Sequence, residues 1–315
     1  MQTVENNTIK NSLNEKDGFH IWWRLLRPHT LTASFIPVFI GSMLAILDGS
    51  INYLLFLAML IAAIMIQAAT NMFNEYYDYV RGLDNENSVG IGGTIVRDGI
   101  KPKTVLILAC SLFAASMLLG VYICLESNWW VCAVGLVCML FGYLYTGGPL
   151  PIAYTPLGEL FAGFLMGTMI IGISYYIQTL SIPANMVLIS IPVSIFIATI
   201  LLSNNIRDLD GDKENGRKTI AILIGRKNAI SLLAGSFVAS YIITIVLIIA
   251  GILPLWSFIT LLSVGQALKA VKRFIGKSTN VEMIPAMVAT AKTNTIFGAL
   301  LGISLLIQIF IPFSF

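Results

Sequence analysis

Charge is scarce in this sequence. Only 11% of its 315 residues are charged while 57% are hydrophobic, and the mean hydropathy reaches +0.84. That balance excludes a soluble domain of this length and points to a chain built for a bilayer. Histidine is rarer still: His20 and His29 both lie near the N-terminus, so a histidine-based metal centre is not expected and interfacial or packing roles suit them. The four cysteines, Cys110, Cys124, Cys132 and Cys138, fall inside apolar runs without the spacing of a disulfide framework or a zinc site. They read as small packing residues, and redox chemistry is not indicated. Residues 1–20 are polar and contain no apolar stretch of signal-peptide length, so a cytoplasmic tail is expected rather than a cleaved leader.

Long apolar runs are what the chain has in plenty. A span of the hydrocarbon needs roughly 17 to 25 residues, and nine runs approach or meet that length, at about 28–48, 53–77, 104–125, 129–146, 158–178, 185–204, 229–250, 253–270 and 294–311. The expectation is an all-α polytopic membrane protein of nine transmembrane helices, in one domain over 21–315. With the N-terminus inside and the spans alternating, all 19 Lys and Arg residues fall on the inner side and none on the outer. That asymmetry is what cytoplasmic loops show, and it predicts a cytoplasmic N-terminus and an outer C-terminus. The net charge of +3 is explained by this placement, and no nucleic-acid partner is implied.

Two inner loops are long and charged, and each follows a helix whose end turns polar. Gln67, Asn71, Asn74 and Asp78 are spaced by four, three and four, which aligns them on one helical stripe. Asn204, Asp208 and Asp212 repeat every four. Each helix thus delivers Asn-x-x-x-Asp to its inner end, with a further carboxylate, Asp84 or Asp212, beyond. The recurrence suggests an internal duplication, with halves at about 28–146 and 158–270 and a ninth helix appended. Carboxylates in or beside a span are costly, about 2.5–3.5 kcal/mol at its centre, and usually face a working cavity. They also oppose the helix dipole at a C-terminus. A hard divalent cation suits a set of oxygen donors without His or Cys. Mg²⁺, which binds through one or two carboxylates plus substrate phosphates, would let two facing clusters hold a lipid diphosphate, with loop Arg and Lys on the remaining oxygens.

The strings NEYYDYVRGLD (74–84), VGIGGTIVRDGIKP (89–102), YTGGPLPIAYTPLGE (145–159) and NNIRDLDGDKENGRKT (204–219), in this order after an early RPHTL, resemble the UbiA-type intramembrane prenyltransferases. The likeness runs from about residue 22 to the C-terminus and is strongest in the loops. It implies nine helices around a lipid-open cavity, Mg²⁺ as cofactor and a polyprenyl diphosphate substrate. By position it makes Asn74, Asp78 and Asp84 the first motif and Asn204, Asp208 and Asp212 the second, the four aspartates serving as catalytic and metal ligands. Arg207 and Lys218 match basic positions near the diphosphate. Arg97, Lys101 and Lys103 would meet the diphosphate, an aromatic carboxylate or the membrane surface. Glu75 stands where the family often has Asp and is given no ligand role, and Asp210, off the stripe, is expected to be solvated.

Relatives that prenylate 4-hydroxybenzoate tend to carry basic residues in the loop after helix four, where this chain has none. That favours the branch acting on 1,4-dihydroxy-2-naphthoate, with Tyr145 and Tyr154 lining the aromatic site or anchoring at the interface. The implied reaction is Mg²⁺-dependent transfer of a polyprenyl group to that acceptor with decarboxylation. A transferase with another aromatic acceptor, such as 4-hydroxybenzoate, stays open. So does a secondary transporter, although its acids would be expected nearer the bilayer midplane.

Overall fold

The computed structural model describes residues 18–84 and 93–313. Residues 1–17 of the expected tail, residues 85–92 with part of the VGIGG string, and the His29 side chain lie outside what is described. Among the described residues the chain is all helical. The helices are α1 (Gly18–Leu26), α2 (Pro28–Leu47), α3 (Tyr53–Val80), α4 (Thr94–Asp98), α5 (Pro102–Glu126) and α6 (Trp130–Leu144). They continue with α7 (Gly158–Gly163), α8 (Ile170–Thr179), α9 (Ala184–Glu214), α10 (Ile220–Ile224), α11 (Arg226–Ile249), α12 (Val264–Phe274) and α13 (Asn280–Phe310). In lipid every backbone N–H and C=O must be satisfied within the segment, and a helix does this for an apolar run.

Seven segments are long and apolar enough to cross a membrane: α2, α3, α5, the α7–α8 segment, α9, α11 and α13. The other two expected runs are built differently. The α6 helix has only 15 residues, and the run at 253–270 divides into a 3₁₀ stretch, Leu255–Ser263, followed by α12. Length and composition therefore qualify seven of the nine expected spans among the described residues. The last helix also starts earlier than the apolar run suggests. Thr279 and Glu282 form a reciprocal capping box that nucleates it, and Thr290 and Thr293 return their hydroxyls to the carbonyls one turn back. Such polar residues hide a helix from hydropathy.

The helices close around a central space. The α2 helix packs against α3, α8 and α13, α3 packs against α5, and α9 packs against α7, α11 and α13. Between apolar helices in lipid, close contact and small residues replace the hydrophobic driving force. Gly163 and Gly167 show this: a Cβ at Gly167 would lie 2.2 Å from the Ser194 hydroxyl, and one at Gly163 would lie 2.6 Å from the Ser194 carbonyl. The chain makes a π turn here, Phe164–Met169, between α7 and α8. This contact fixes α7 against α9. Elsewhere Phe196 of α9 stacks on Phe297 of α13 at 4.2 Å between ring centroids, with Phe237 and Tyr241 of α11 around them. Of the cysteines, Cys124 is buried and Cys110 is exposed, so Cys110 does not serve as the internal packing residue expected of it.

Candidate functional site: a carboxylate and arginine cluster over an apolar cavity

One cavity of about 610 Å³ runs into the bundle, within the size range of small-molecule sites. Its body is apolar, walled by residues such as Ala63, Ile123, Leu136 and Ile170. Its other end is polar. The stripe predicted on α3 lies on the wall, with Gln67, Asn71, Asn74 and Asp78 all lining the cavity, and Asp84 follows just past the helix. From α9 come Asn204, Asn205, Arg207 and Asp208. The spacing of four, three and four explains the α3 set, and that of four the Asn204–Asp208 pair, because each keeps its residues on one helix face, whereas Asp212 one turn further on is not on the wall.

The two motifs meet through a residue that the sequence pattern did not single out. Arg217, just beyond α9, lies 2.9 Å from Asp78 and 3.1 Å from Asp212. Its guanidinium also sits over the Tyr154 ring, 4.9 Å from the centroid. Burial by itself would lower the Arg217 pKa, but the Asp78 and Asp212 carboxylates outweigh it and raise the value above the usual arginine range. Arg217 is therefore a fixed cation between two anions. Asp212 keeps one buried oxygen, Oδ2, without a hydrogen-bond partner among the described residues.

Other arginines complete the cluster. Arg207, buried on α9, donates from Nε and Nη2 to the neighbouring Asp208 at 2.8 and 2.6 Å and from Nη1 to the Met287 sulfur at 3.0 Å. Arg27, whose backbone lies in the left-handed region at φ 52°, donates to Asn74 Oδ1 at 2.7 Å. A non-glycine residue held there is strained, and such strain clusters at functional sites. Arg81 donates to the carbonyls of Thr146 and Gly148 and so ties the end of α3 to the loop after α6.

Glu75 is completely buried and is not on the cavity wall. It accepts hydrogen bonds from the Thr94 hydroxyl and from the Ile95 N–H at 3.2 Å, and lies 3.8 Å from Arg27. Arg24 holds the other end of the short α4 helix through Asp98 at 3.0 Å. Glu75 and Arg24 thus fasten α4, which carries Arg97, beside the site. Arg97 is half-buried, whereas Lys101, Lys103 and Lys218 are exposed, and none of these four is on the cavity wall. Tyr145 lines the cavity, and Tyr154 touches Arg217 and Arg81. Asp210 is exposed and pairs with Arg226 at 2.9 Å.

No group of three or more His, Cys, Asp or Glu side chains among the described residues forms a ready-made metal cage. A hard cation that keeps several waters and takes one or two carboxylates with substrate phosphates needs no such cage. Asp78, Asp84 and Asp208 on the cavity wall, with Asp212 off the wall but joined to them through Arg217 and keeping an orphaned buried oxygen, fit that cation.

The fold and site together define an integral membrane protein whose helices enclose an apolar chamber with a mouth lined by carboxylates and arginines. The UbiA prenyltransferase family profile matches residues 34–301. The chain is 56% identical over 290 residues to the 1,4-dihydroxy-2-naphthoate octaprenyltransferase of Bacillus subtilis, covering 92% of this chain and 93% of that one. It is 26% identical to the Escherichia coli protein of the same name, covering 90% and 95%. Among solved structures it resembles a UbiA homolog from Archaeoglobus fulgidus bound to DMAPP and Mg²⁺, with a TM-score of 0.62 at 17% identity, over 89% of this chain and 98% of that one. An apo UbiA homolog from Aeropyrum pernix gives 0.63 at 16% identity, over 87% and 96%. The chain belongs to the UbiA prenyltransferase family.

Proposed function

We propose that this chain transfers a polyprenyl group from a polyprenyl diphosphate to 1,4-dihydroxy-2-naphthoate, with loss of the carboxylate as CO₂, giving demethylmenaquinone in its quinol form. The observation that carries the reading is the junction of both aspartate motifs through Arg217 at the polar end of one apolar cavity. The name of the Bacillus subtilis relative supports the acceptor. The absence of Lys and Arg from the loop 145–159 supports the same branch.

Asp78, Asp84, Asp208 and Asp212 are the residues to hold Mg²⁺, and the ion, when bound there, neutralises the diphosphate and makes it a better leaving group. Arg27, Arg207 and Arg217 are the guanidinium groups at hand for phosphate oxygens, in the forked geometry that suits them. Asn74 and Asn204 add amide groups on the same wall. The allylic C–O bond breaks with its electron pair leaving on the diphosphate. The ring carbon bearing the carboxylate bonds to the prenyl C1, and the C–CO₂ bond breaks to restore the aromatic ring. Apolar walls keep water from the allylic cation, and the prenyl tail lies along them toward lipid. Tyr145 borders the acceptor, while Tyr154 steadies Arg217 through its ring face. Arg97 stands close enough through α4 to steer an anion, and Lys103 and Lys218 serve the membrane surface. The N-terminus and both motif loops are cytoplasmic and the C-terminus is outside, as the distribution of the 19 basic residues supports.

The test is transfer by purified protein in detergent, with no membrane gradient. Polyprenyl diphosphate and 1,4-dihydroxy-2-naphthoate should give a prenylated, decarboxylated product by mass with Mg²⁺ and none with EDTA. Product only from 4-hydroxybenzoate, or no product from any acceptor, contradicts the reading.

A further inference from the structure

Close to the cluster lies a buried polar pair that the reaction as described does not use. Glu159 opens α7 and is 6% exposed. Its Oε1 accepts a hydrogen bond from Asn205 Nδ2 at 2.9 Å. Its Oε2 is buried without a hydrogen-bond partner among the described residues. Glu159 does not line the cavity, but Asn205 does. The close approach of Gly163 and Gly167 to Ser194 holds α7 on α9, and so holds this pair together.

The Glu159 Oε1 accepts from the Asn205 amide nitrogen, and that contact sets which end of the carboxamide turns toward it. The Asn205 nitrogen is committed to Glu159, and the carbonyl oxygen is the end left to the cavity. Tyr145, Asp78 and Arg217 line the same cavity. Asn205 thus shares the cavity wall with Asp78, Arg207, Asp208 and Arg217, where the diphosphate would be held.

We propose that Glu159 is a positioning residue that orients Asn205, and that the Asn205 carbonyl oxygen accepts a hydrogen bond from a ring hydroxyl of the aromatic acceptor. This deepens the functional reading above and rests on it. The wall presents an acceptor rather than a donor, so it selects rings with a free hydroxyl. Accepting that hydrogen bond also draws electron density into the ring at the moment of attack. No proton leaves in the balanced transfer, because the departing CO₂ returns its bonding pair to the ring. Asn205 therefore holds the hydroxyl and does not deprotonate it. A site built to bond a substrate hydroxyl rejects an analogue lacking it far more strongly than an apolar pocket can.

The experiment compares purified wild type with Glu159→Gln, Glu159→Asp and Asn205→Ala. It measures KM for the diphosphate, KM for 1,4-dihydroxy-2-naphthoate, and the preference for that acceptor over its ring methyl ethers. Glu159→Gln lets the Asn205 amide turn either way. The acceptor KM should rise about tenfold and the preference fall about tenfold, the worth of one buried hydrogen bond. The diphosphate KM should stay within about twofold, and Glu159→Asp should recover much of the preference. If Glu159→Gln does not accumulate in membranes, Asn205→Ala decides: lost preference supports the proposal and retained preference overturns it. Equal rises in both KM values, or an unchanged preference, would mean the pair is merely structural. A wild type that fails to prenylate the dihydroxynaphthoate overturns the functional reading and this inference with it. Active wild type with unchanged preference in the variants overturns this inference alone.

Discussion

Arg217 joins Asp78 to Asp212, contacting one at 2.9 Å and the other at 3.1 Å, and Asp78 lies 139 positions from Arg217 in sequence. The relationship makes a single electrostatic unit of two helix ends that are remote in the chain. With Arg217 in place the two carboxylates share one positive charge, so they repel each other less but are not neutralised. Its removal leaves two partly buried carboxylates facing each other.

Arg217→Gln should therefore lower the stability of the metal-free protein by about 3 kcal/mol, the cost of leaving a buried ion pair half made. Mg²⁺ should restore more of the melting temperature in the variant than in wild type, because the ion supplies the missing positive charge. Thermal unfolding in detergent with and without Mg²⁺ checks this; an equal Mg²⁺ effect in both proteins speaks against it.

The basic residues should separate by position. Arg207 is buried on the cavity wall beside Asp208, and Arg207→Ala should reduce kcat/KM for the diphosphate at least about a hundredfold, by roughly 2.7 kcal/mol or more. Lys103 and Lys218 are exposed and off the wall, so Lys103→Ala and Lys218→Ala should change it by less than about twofold, in keeping with surface substitutions. Steady-state kinetics on the three variants gives the ordering.

Glu75 should matter through α4. Glu75→Ala removes the acceptor for Thr94 and Ile95 and leaves Arg27 without its carboxylate. Bonds to a charged group of this kind are worth about 1.5–3 kcal/mol each. Limited proteolysis should then cut near residues 93–101 more readily than in wild type, and transfer should fall about tenfold. A variant as resistant and as active as wild type would contradict the role.

The membrane class, seven of the nine expected spans, the α3 stripe and the Asn204–Asp208 pair were legible in the sequence, because hydropathy and helical spacing are local patterns. Arg217 was not, since nothing local distinguishes it from Lys213 or Lys218; only the fold reveals which basic group reaches both motifs. Arg27 was concealed in the same way, within a short string whose unusual backbone cannot be read from residue types. Glu75 could be set apart from the ligands, but its partners Thr94 and Ile95 lie across a loop. The start of α13 was not legible because Glu282, Pro285 and Lys292 interrupt its apolar pattern, and the break in the 253–270 run because 3₁₀ and α segments share one apolar pattern. The Glu159 contact to Asn205 depends on the glycine-mediated approach of α7 to α9, a tertiary event.

The central claim is that the two motifs act on one diphosphate. The most direct measurement is a double-mutant cycle on Asp78→Ala and Asp208→Ala, read as Mg²⁺-dependent transfer from a polyprenyl diphosphate. If the motifs serve one site, each single variant should lose nearly as much activity as the double, because removing either half disables the whole. Losses that simply add, or near wild-type turnover in either single variant, would contradict it.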